Sequence, residues 1–254
     1  MIDPHRIERD TFVARAEVHA ELPSTNDRAL RLAGTSTDLP HLIAALRQTS
    51  GRGRGANRWW SAEGALTFSL ILDAAPVPAE RLPLIGLLTG GTVCEVVAAA
   101  VPEADVRLKW PNDVYVAGRK AGGILVEVPH ESPNRLVVGI GLNVNVSLHG
   151  APDDVRRRAT ALCDVTGTPL PAGELLIGIL QQLQTDLDRL ETDFASVLAE
   201  WRRRCLLTGR CATLHDGTRT ITGTCLGYDD DGSLLLQTVA GPRRFRSGVV
   251  EAWE

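Results

Sequence analysis

A glycine-rich basic segment, residues 51–59, carries residue types that could hold an anionic ligand. Its sequence, GRGRGANRW, places Arg52 and Arg54 between glycines and ends at Trp59. Glycines let a backbone approach a ligand closely, and consecutive N–H groups can form an anion-binding concavity. Arginine can hold a carboxylate or phosphate through two parallel hydrogen bonds. The segment lacks a Walker A or GxGxxG pattern, and taken alone it also fits a mobile basic loop or an RNA-contacting arm.

A second segment, residues 109–125, combines KWPND with GRKAGGIL. Asn112 and Asp113 follow a predicted strand, where side-chain oxygens could hold a magnesium ion and its phosphates. Lys120 lies just before the glycine pair that includes Gly123, and it could present a positive charge to an anion. Considered alone, the segment also fits a hairpin with an Asn-Asp turn, so both interpretations stay open.

Two shorter motifs add polar groups. The segment GIGLNVN, residues 139–145, has two glycines inside a predicted strand, which indicates a close backbone approach or a bulge. Asn143 and Asn145 are two residues apart and would face the same side of that strand. The segment STN, residues 24–26, could satisfy a urea-like group with two hydroxyls and an amide. Alone, the first motif is typical of a core strand and the second of a helix cap.

The hydrophobic pattern predicts the elements that position these motifs. Apolar residues at helical spacing predict helices over residues 25–33, 82–100, 174–191 and 194–204, the first with Ser24 or Thr25 as its N-cap and Gly34 at its end. Short apolar runs predict strands over residues 42–47, 66–72, 106–110, 124–128 and 136–146. After residue 206, short strands alternate with Asp-Gly turns typical of hairpins. We therefore expect two domains, residues 1–206 and 207–254, with the smaller packed on the larger.

Composition narrows the class of protein. The 254 residues are 44% hydrophobic and carry a net charge of −4, which argues mildly against a general nucleic-acid binder. Five cysteines without a CxxC pair favour free thiols in a reducing cytoplasm. The six histidines lack zinc-site spacing. We expect neither a signal peptide nor a stretch of roughly 18 apolar residues that could cross a membrane, and hence a soluble, cytoplasmic protein.

Together the motifs resemble one family. STN, QxxGRGRxxxxW, KWPND, KxGGIL and GIGLNVN match the bacterial biotin–protein ligases in order and spacing, densely over residues 20–146. The resemblance implies an α/β (α+β) catalytic domain with a mixed sheet, related to class II aminoacyl-tRNA synthetases, and a small SH3-like C-terminal β barrel. Only 23 residues precede Ser24, so we expect the ligase-only type without a DNA-binding winged helix. One departure is Gly55-Ala56-Asn57, where the family usually has Arg-Gly-Arg.

The resemblance also implies roles for individual residues. Ser24, Thr25 and Gln48 should bind the ureido ring of biotin, and Asn26 should orient the start of its helix. Arg52 and Lys120 are the implied catalytic residues, meeting the biotin carboxylate and the α-phosphate. The implied biotin-binding set is completed by Gly51, Gly53, Arg54 and Gly123. ATP should contact Arg54, Trp59, Asn112, Lys120 and Asn143, and Asp113 should lie at the Mg²⁺ ion.

The implied activity is an ATP-dependent ligation. Biotin and ATP would form biotinyl-5'-AMP, and biotin would pass to a lysine of a biotin carboxyl carrier protein, by a monomer or weak homodimer. Two rivals remain at this point. A lipoate or octanoate ligase would share the fold and the adenylation step, whereas a non-enzymatic RNA-binding module would use the basic loop and the small barrel.

Overall fold

The computed structural model describes residues 2–75, 77 and 81–254, and these residues form two β-sheets with helices packed around them. The strands of the larger sheet are β1 (Arg15–Leu22), β2 (His41–Gln48), β3 (Ala65–Asp73), β4 (Val106–Lys109), β5 (Asp113–Val116), β6 (Arg119–Glu127) and β7 (Arg135–Asn143). Their spatial order is β1-β2-β3-β7-β6-β5-β4. Only the β1–β2 pair is parallel among the described ladders of this sheet, so the sheet is mixed, as predicted.

The helices lie on both faces of the larger sheet. They are α1 (Pro4–Asp10), α2 (Thr25–Leu32), α3 (Ile85–Ala100), α4 (Asp153–Arg158), α5 (Leu162–Thr166), α6 (Ala172–Thr192) and α7 (Phe194–Arg204). The alternation of side chains along β3 separates the two faces. Leu66, Phe68 and Leu70 point into the main core with α3 and α6, whereas Ile71 packs with Ala29 of α2. The face that carries α2 is the one on which the candidate site lies.

The α3 segment corrects one sequence prediction. We expected no stretch long and apolar enough to cross a membrane, but residues Leu82–Ala100 meet that criterion by length and composition. Half of the segment is buried inside the protein. Its side chains Leu88, Val93 and Val97 belong to the main hydrophobic core. Within the described part of the chain, the segment is therefore packed as a core helix between the sheet and α6.

The smaller sheet contains β8 (Cys211–His215), β9 (Thr220–Tyr228), β10 (Leu234–Thr238), β11 (Gly241–Phe245) and β12 (Val249–Trp253). Its strands are all antiparallel, in the order β11-β10-β9-β8-β12. Apolar side chains of this sheet, such as Leu214 and Leu236, join the same core cluster as those of the larger sheet. The small unit thus packs on the larger one, as its size predicted, and the predicted fold class is confirmed.

Several element boundaries differ from the sequence prediction. β1, β5, β12, α1, α4 and α5 were not predicted from the sequence, because these short segments show no clear hydrophobic period. The strand predicted over residues 106–110 ends at Lys109, which pairs with Asp113 across a tight turn. The KWPND segment therefore forms a hairpin as predicted, but its turn is Trp110–Asn112 and not the predicted Asn-Asp pair, because Asp113 is the first residue of β5. The strand predicted to reach Val146 ends at Asn143. The side-chain amide of Asn143 donates a hydrogen bond of 3.1 Å to the carbonyl of Thr160.

Candidate active site

A cavity of about 1040 Å³ opens on the face of the larger sheet that carries α2. The strands contribute side chains to it at alternate positions, because successive residues of a strand point to opposite faces. Gly123 and Leu125 of β6 and Gly139 and Gly141 of β7 line the cavity, together with Ile124 and Ile140, which also belong to the main core. Twelve of the fourteen residues predicted for the site line it: Ser24, Thr25, Asn26, Gln48, Arg52, Gly53, Arg54, Trp59, Asn112, Asp113, Lys120 and Gly123.

The start of α2 forms the polar end of the cavity. Ser24 is the N-cap, and its hydroxyl accepts the N–H of Asp27 at 3.3 Å. The backbone N–H of Thr25 donates to Oε1 of Gln48 at 2.7 Å, and the Thr25 hydroxyl lies 3.3 Å from the same oxygen. Because Oε1 is occupied, the Gln48 amide N–H groups remain as donors toward the cavity. The three residues therefore present hydroxyls and an amide donor side by side.

Asn26 ties α2 to the sheet beneath it. Its Nδ2 donates to Glu127 Oε2 at 3.0 Å, and its Oδ1 accepts from the hydroxyl of Ser69 at 2.6 Å. A Cβ atom at Gly139 would overlap this amide. The glycine in the middle of β7 is thus explained by the close approach of Asn26, as the sequence predicted. Asn26 is almost fully buried, and it orients the first turn of α2.

The basic segment forms a short hairpin. Arg52 and Arg58 make an antiparallel bridge, and the N–H of Gly53 donates to the carbonyl of Asn57 at 2.9 Å. Gly55 has a φ of 64°, which suits glycine at the tip. The side chain of Asn57 donates to the carbonyl of Arg54 at 3.0 Å. The departure from the family pattern at Gly55-Ala56-Asn57 therefore forms a hydrogen-bonded turn.

Two glycines allow Trp59 to lie in its place. The N–H of Trp59 donates to the carbonyl of Gly51 at 3.0 Å, and a Cβ at residue 51 would lie 2.5 Å from the Trp59 carbonyl oxygen. A Cβ at Gly141 would lie 2.5 Å from Cε2 of the Trp59 indole. The ring therefore packs on the bare backbone of β7, and Trp59 also lines the cavity. A flat aromatic face in this position can pack against a purine ring.

Arg52 is held by two carboxylates. Its guanidinium makes hydrogen bonds of 2.6 and 3.0 Å to the two oxygens of Glu127 and one of 2.8 Å to Asp27. The hydrogen bonds from Glu127 are the main reason why the pKa of Arg52 is raised. Arg52 was predicted to contact a substrate carboxylate. It lines the cavity, and its guanidinium is hydrogen-bonded to the carboxylates of Asp27 and Glu127.

Lys120 and Asp113 lie together at the other end of the cavity. Lys120 Nζ donates to Asp113 Oδ1 at 2.5 Å, and both groups lie near Gly123, where a Cβ would be 3.5 Å from that oxygen. The Asn112 amide donates to the carbonyl of Ile124 at 2.5 Å, which fixes the turn. The sheet order places Gln48 on β2 and Lys120 on β6 three strands apart, or about 14 Å at the usual strand spacing.

Strand β12 of the small sheet forms one wall of the cavity. Val250 and Trp253 line it beside Lys109 of β4. Lys109 Nζ donates to the carbonyl of Val250 at 3.1 Å and lies 4.2 Å above the Trp253 ring. Burial lowers the pKa of Lys109 to about 8. Trp253 also packs edge-on against Tyr115 with ring centroids 5.8 Å apart. The site is thus built by both sheets.

Positive charge dominates the cavity lining. The cationic side chains there are Arg52, Arg54, Arg58, Lys109, Arg119, Lys120, Arg157 and Arg158, against the carboxylates of Asp113 and Glu251. Such a surface suits a polyanion such as a triphosphate. No group of three or more His, Cys, Asp or Glu side chains able to hold a metal occurs among the described residues. A divalent ion would therefore need ligands from a bound phosphate as well as from Asp113.

Two predicted site residues are not brought to the cavity. Gly51 precedes the hairpin, and its lack of a side chain allows the carbonyl group of Trp59 to lie close to its backbone. Asn143 is buried, and its amide holds the carbonyl of Thr160, between α4 and α5. Asn145 likewise exchanges hydrogen bonds of 2.8 Å with the backbone of Leu170. The two asparagines thus hold the segments around Thr160 and Leu170 against the end of β7. Asn143 does not line the cavity, where it was predicted from the sequence to contact a nucleotide.

Sequence reasoning missed several residues that shape the site. Glu127 binds both Asn26 and Arg52. Its position could have been inferred, since residues 123, 125 and 127 alternate along β6 and so share the cavity face. Lys109 was read only as part of a motif, and no local signal links it to Val250, 141 residues later. Arg157 and Arg158 reach the cavity because the carbonyl of Lys120 binds the N–H of Thr160.

Known proteins match the chain in sequence and in structure. Residues 19–145 match the family described as the biotin/lipoate A/B protein ligase family. The biotin–[acetyl-CoA-carboxylase] ligase of Mycobacterium tuberculosis is 32% identical over 225 residues, covering 87% of this chain and 82% of that protein. The bifunctional ligase/repressor BirA of Bacillus subtilis is 30% identical, covering 92% of this chain and 72% of that protein.

The solved structure of the biotin protein ligase from Aquifex aeolicus in complex with biotin and ATP superposes with a TM-score of 0.82. The two sequences are 31% identical, and the match covers 94% of this chain and 98% of that one. The family match spans half of the chain, and relatives at 30% identity or above share most of their length with it. The chain therefore belongs to the biotin/lipoate A/B protein ligase family.

Proposed function

We propose that this protein is a biotin–protein ligase that makes biotinyl-5'-AMP from biotin and ATP and transfers biotin to a lysine of a biotin carboxyl carrier protein. The observation that carries the proposal is the division of one cavity into two ends. The hydroxyls and amide of Ser24, Thr25 and Gln48 lie at one end. Lys120 lies about 14 Å away across the sheet, beside Asp113.

The polar end suits a ureido ring. A urea needs both donors and acceptors, and the Gln48 amide and the hydroxyls of Ser24 and Thr25 supply both. A lipoate or octanoate ligase is the rival within the family. The dithiolane of lipoate and the alkyl chain of octanoate lack a carbonyl acceptor, so they would leave the Gln48 amide N–H groups and the Ser24 hydroxyl hydrogen without a ligand partner, at a cost of about 1–3 kcal/mol each. The polar end therefore favours biotin.

The cationic end suits the chemistry of adenylation. A biotin carboxylate oxygen bonds to the α-phosphorus of ATP while the bond to pyrophosphate breaks, and negative charge grows on the phosphoryl oxygens. Lys120 and Arg52 stabilise this charge electrostatically, and no protein nucleophile is needed. In the second step the amine of the acceptor lysine attacks the acyl carbon, loses a proton and displaces AMP.

Mg²⁺ fits the site as a partner of the triphosphate. Magnesium in such sites is usually held by one or two carboxylates together with substrate phosphates. Asp113 offers one carboxylate at the cationic end of the cavity. When bound, the ion would neutralise charge on the phosphates, and Lys120 would then exchange its contact with Asp113 for one with the substrate.

Further parts of the proposal concern the whole protein. Residues 1–206 would form the catalytic domain and residues 207–254 a small SH3-like domain, although β12 of the latter borders the same cavity. We propose a cytoplasmic protein, active as a monomer or weak homodimer, whose macromolecular partner is a carrier domain and not DNA. The reducing environment suits its free cysteines.

Two assays test the proposed function. Exchange of labelled pyrophosphate into ATP should depend on biotin and not on lipoate or octanoate. Incubation with ATP, Mg²⁺, biotin and a biotin carboxyl carrier domain should raise the mass of the carrier by one biotinyl group. Lipoate-dependent exchange without biotin-dependent exchange would refute the proposal in favour of the rival.

A further inference from the structure

The two carboxylates that hold Arg52 differ in how they bind it. Glu127 binds through both oxygens, at 2.6 and 3.0 Å, in the bidentate geometry that gives the strongest arginine pairs. Asp27 binds through one oxygen at 2.8 Å. The side chain of Glu127 is 23% exposed and that of Asp27 is 36% exposed. Glu127 is therefore the stronger and more enclosed partner.

The two carboxylates also differ in what else holds them. Glu127 Oε2 accepts a second hydrogen bond, from Asn26 Nδ2 at 3.0 Å, and so joins Arg52 to the start of α2. Asn26 is fixed in turn by the hydroxyl of Ser69. Asp27 lies at the first turn of α2, and Arg52 is its one ion-pair partner among the described residues. The bond to Asp27 can therefore be given up with less disturbance of the surrounding network.

The charges around Arg52 favour the replacement of one protein carboxylate by the carboxylate of an incoming ligand. One guanidinium faces two carboxylates, so the group carries one excess negative charge at the place where Arg52 lines the cavity. A third carboxylate brought to Arg52 would be repelled by both partners. If the incoming carboxylate replaces Asp27, Arg52 keeps its bidentate bond to Glu127. The number of charge-assisted hydrogen bonds to the guanidinium is then unchanged.

We propose that Glu127 and Asp27 act on Arg52 in opposite directions during substrate binding. Glu127 is a positioning residue that aims the guanidinium into the cavity, and Asp27 is a resting partner that the substrate carboxylate displaces. This inference rests on the proposed function, since it takes biotin as the carboxylate ligand. It assigns to Asp27 a contact that competes with the substrate and thereby weakens its binding.

The matched substitutions Asp27→Asn and Glu127→Gln test the inference. Each removes one charge and keeps the shape of the side chain. Asp27→Asn should tighten the binding of biotin about two- to fivefold, the usual strength of a partly exposed ion pair. Glu127→Gln should weaken it at least about tenfold, because a bidentate charged pair is lost. Both variants should show thermal unfolding close to that of the wild type.

A ligand without a carboxylate shows whether tighter binding by Asp27→Asn is due to the carboxylate of biotin or to a general change in the site. The alcohol biotinol keeps the ureido ring but has no carboxylate, so Asp27→Asn should not tighten its binding. Calorimetry with biotin and with biotinol on the wild type and both variants gives the comparison. Weaker biotin binding by Asp27→Asn, or an equal gain for biotinol, would overturn the inference. Wild-type protein that binds no biotin would instead overturn the proposed function together with the inference.

Discussion

The indole of Trp59 lies directly on the backbone of Gly141, so that a Cβ at residue 141 would be 2.5 Å from Cε2 and 2.8 Å from Cζ2 of the ring. This contact joins the end of the basic hairpin to the centre of β7. The ring thus packs on the β7 backbone, and Trp59 also lines the cavity. The absence of a side chain at residue 141 therefore makes room for the Trp59 ring in the cavity wall.

Gly141→Ala should displace the Trp59 ring and weaken ATP binding. Stacking of a base on an aromatic ring contributes about 1–3 kcal/mol, so we expect a loss of about tenfold or more in ATP affinity. Calorimetric titration with a non-hydrolysable ATP analogue measures it. Gly86→Ala is the matched control, because its added Cβ would meet only Val126 at 3.7 Å, an ordinary contact. Wild-type affinity in Gly141→Ala would show that Trp59 does not contact the nucleotide.

Lys120→Ala should nearly abolish adenylate formation and leave the fold intact. Lys120 is one-third exposed and pairs with Asp113, so its loss removes a charge from the cationic end and not from the core. Loss of one preorganised charge at a developing anion typically lowers the rate by about 10²–10³. Single-turnover formation of biotinyl-5'-AMP measures the effect. Arg107→Ala, which removes an exposed arginine paired with Asp105, serves as control. A rate within about threefold of wild type would exclude the assigned role.

The small number of lysines in the chain helps to test the role of Arg54 in the basic hairpin. The chain contains only two lysines, Lys109 and Lys120, and both line the cavity. Lys109 is buried against Val250 and Lys120 is paired with Asp113. Biotinyl-5'-AMP that escapes from the site therefore meets no lysine on the outer surface of its own enzyme.

Arg54→Gly should let the adenylate escape before transfer, because Arg54 is a charged, cavity-lining side chain at the turn of the hairpin. We expect a faster release of biotinyl-5'-AMP and biotinylation of lysines on added non-cognate protein, with little modification of the enzyme. The variant Arg54→Gly/Arg47→Lys adds an exposed lysine on β2 and should become self-biotinylated at that residue. Mass spectrometry and the release rate of the adenylate measure both effects. An unchanged release rate contradicts the prediction.

Sequence reasoning succeeded where function depends on short, contiguous motifs. Ser24 as a helix cap, the close approach at Gly139 and the hairpin at KWPND each follow from local rules for caps, strand glycines and turns. The large mixed sheet and the small antiparallel sheet followed from the change in period near residue 206 and from the family resemblance. The cap, the strand glycine and the turn are local in the chain, so the local sequence pattern contains them.

The rest depends on contacts between distant parts of the chain. Asn143 was assigned to the nucleotide because it belongs to a motif, but its amide fastens Thr160. Arg52 was predicted to contact the biotin carboxylate, and no local pattern indicated that Asp27 and Glu127, 25 and 75 residues away in the chain, also bind it. Local periodicity carries no information on such pairings. The alternation along β6 could have placed Glu127 on the cavity face, but not its partner.

Lys109 provides a prediction about pH. Burial lowers its pKa from 10.5 to about 8, and the nearby carboxylate of Asp113 offsets this effect only in part. Below pH 8 the folded and unfolded chains both carry the proton, and folding includes the cost of burying the ammonium group. Between pH 8 and 10.5 the unfolded chain binds more protons than the folded chain. The free energy of unfolding contributed by Lys109 should therefore rise with pH across this interval.

Substitution of Lys109 by methionine should remove this dependence. A fall in pKa from 10.5 to about 8 corresponds to roughly 3 kcal/mol over the whole interval. We expect the free energy of unfolding of the wild type, minus that of Lys109→Met, to rise by an amount of this order between pH 7.5 and 10.5. Other groups that titrate in this range cancel in the difference. Denaturant titrations at half-unit steps of pH measure it, with Arg107→Met as a control that should give a flat difference. A flat difference for Lys109→Met as well would show that Lys109 is not buried as a cation beside β12.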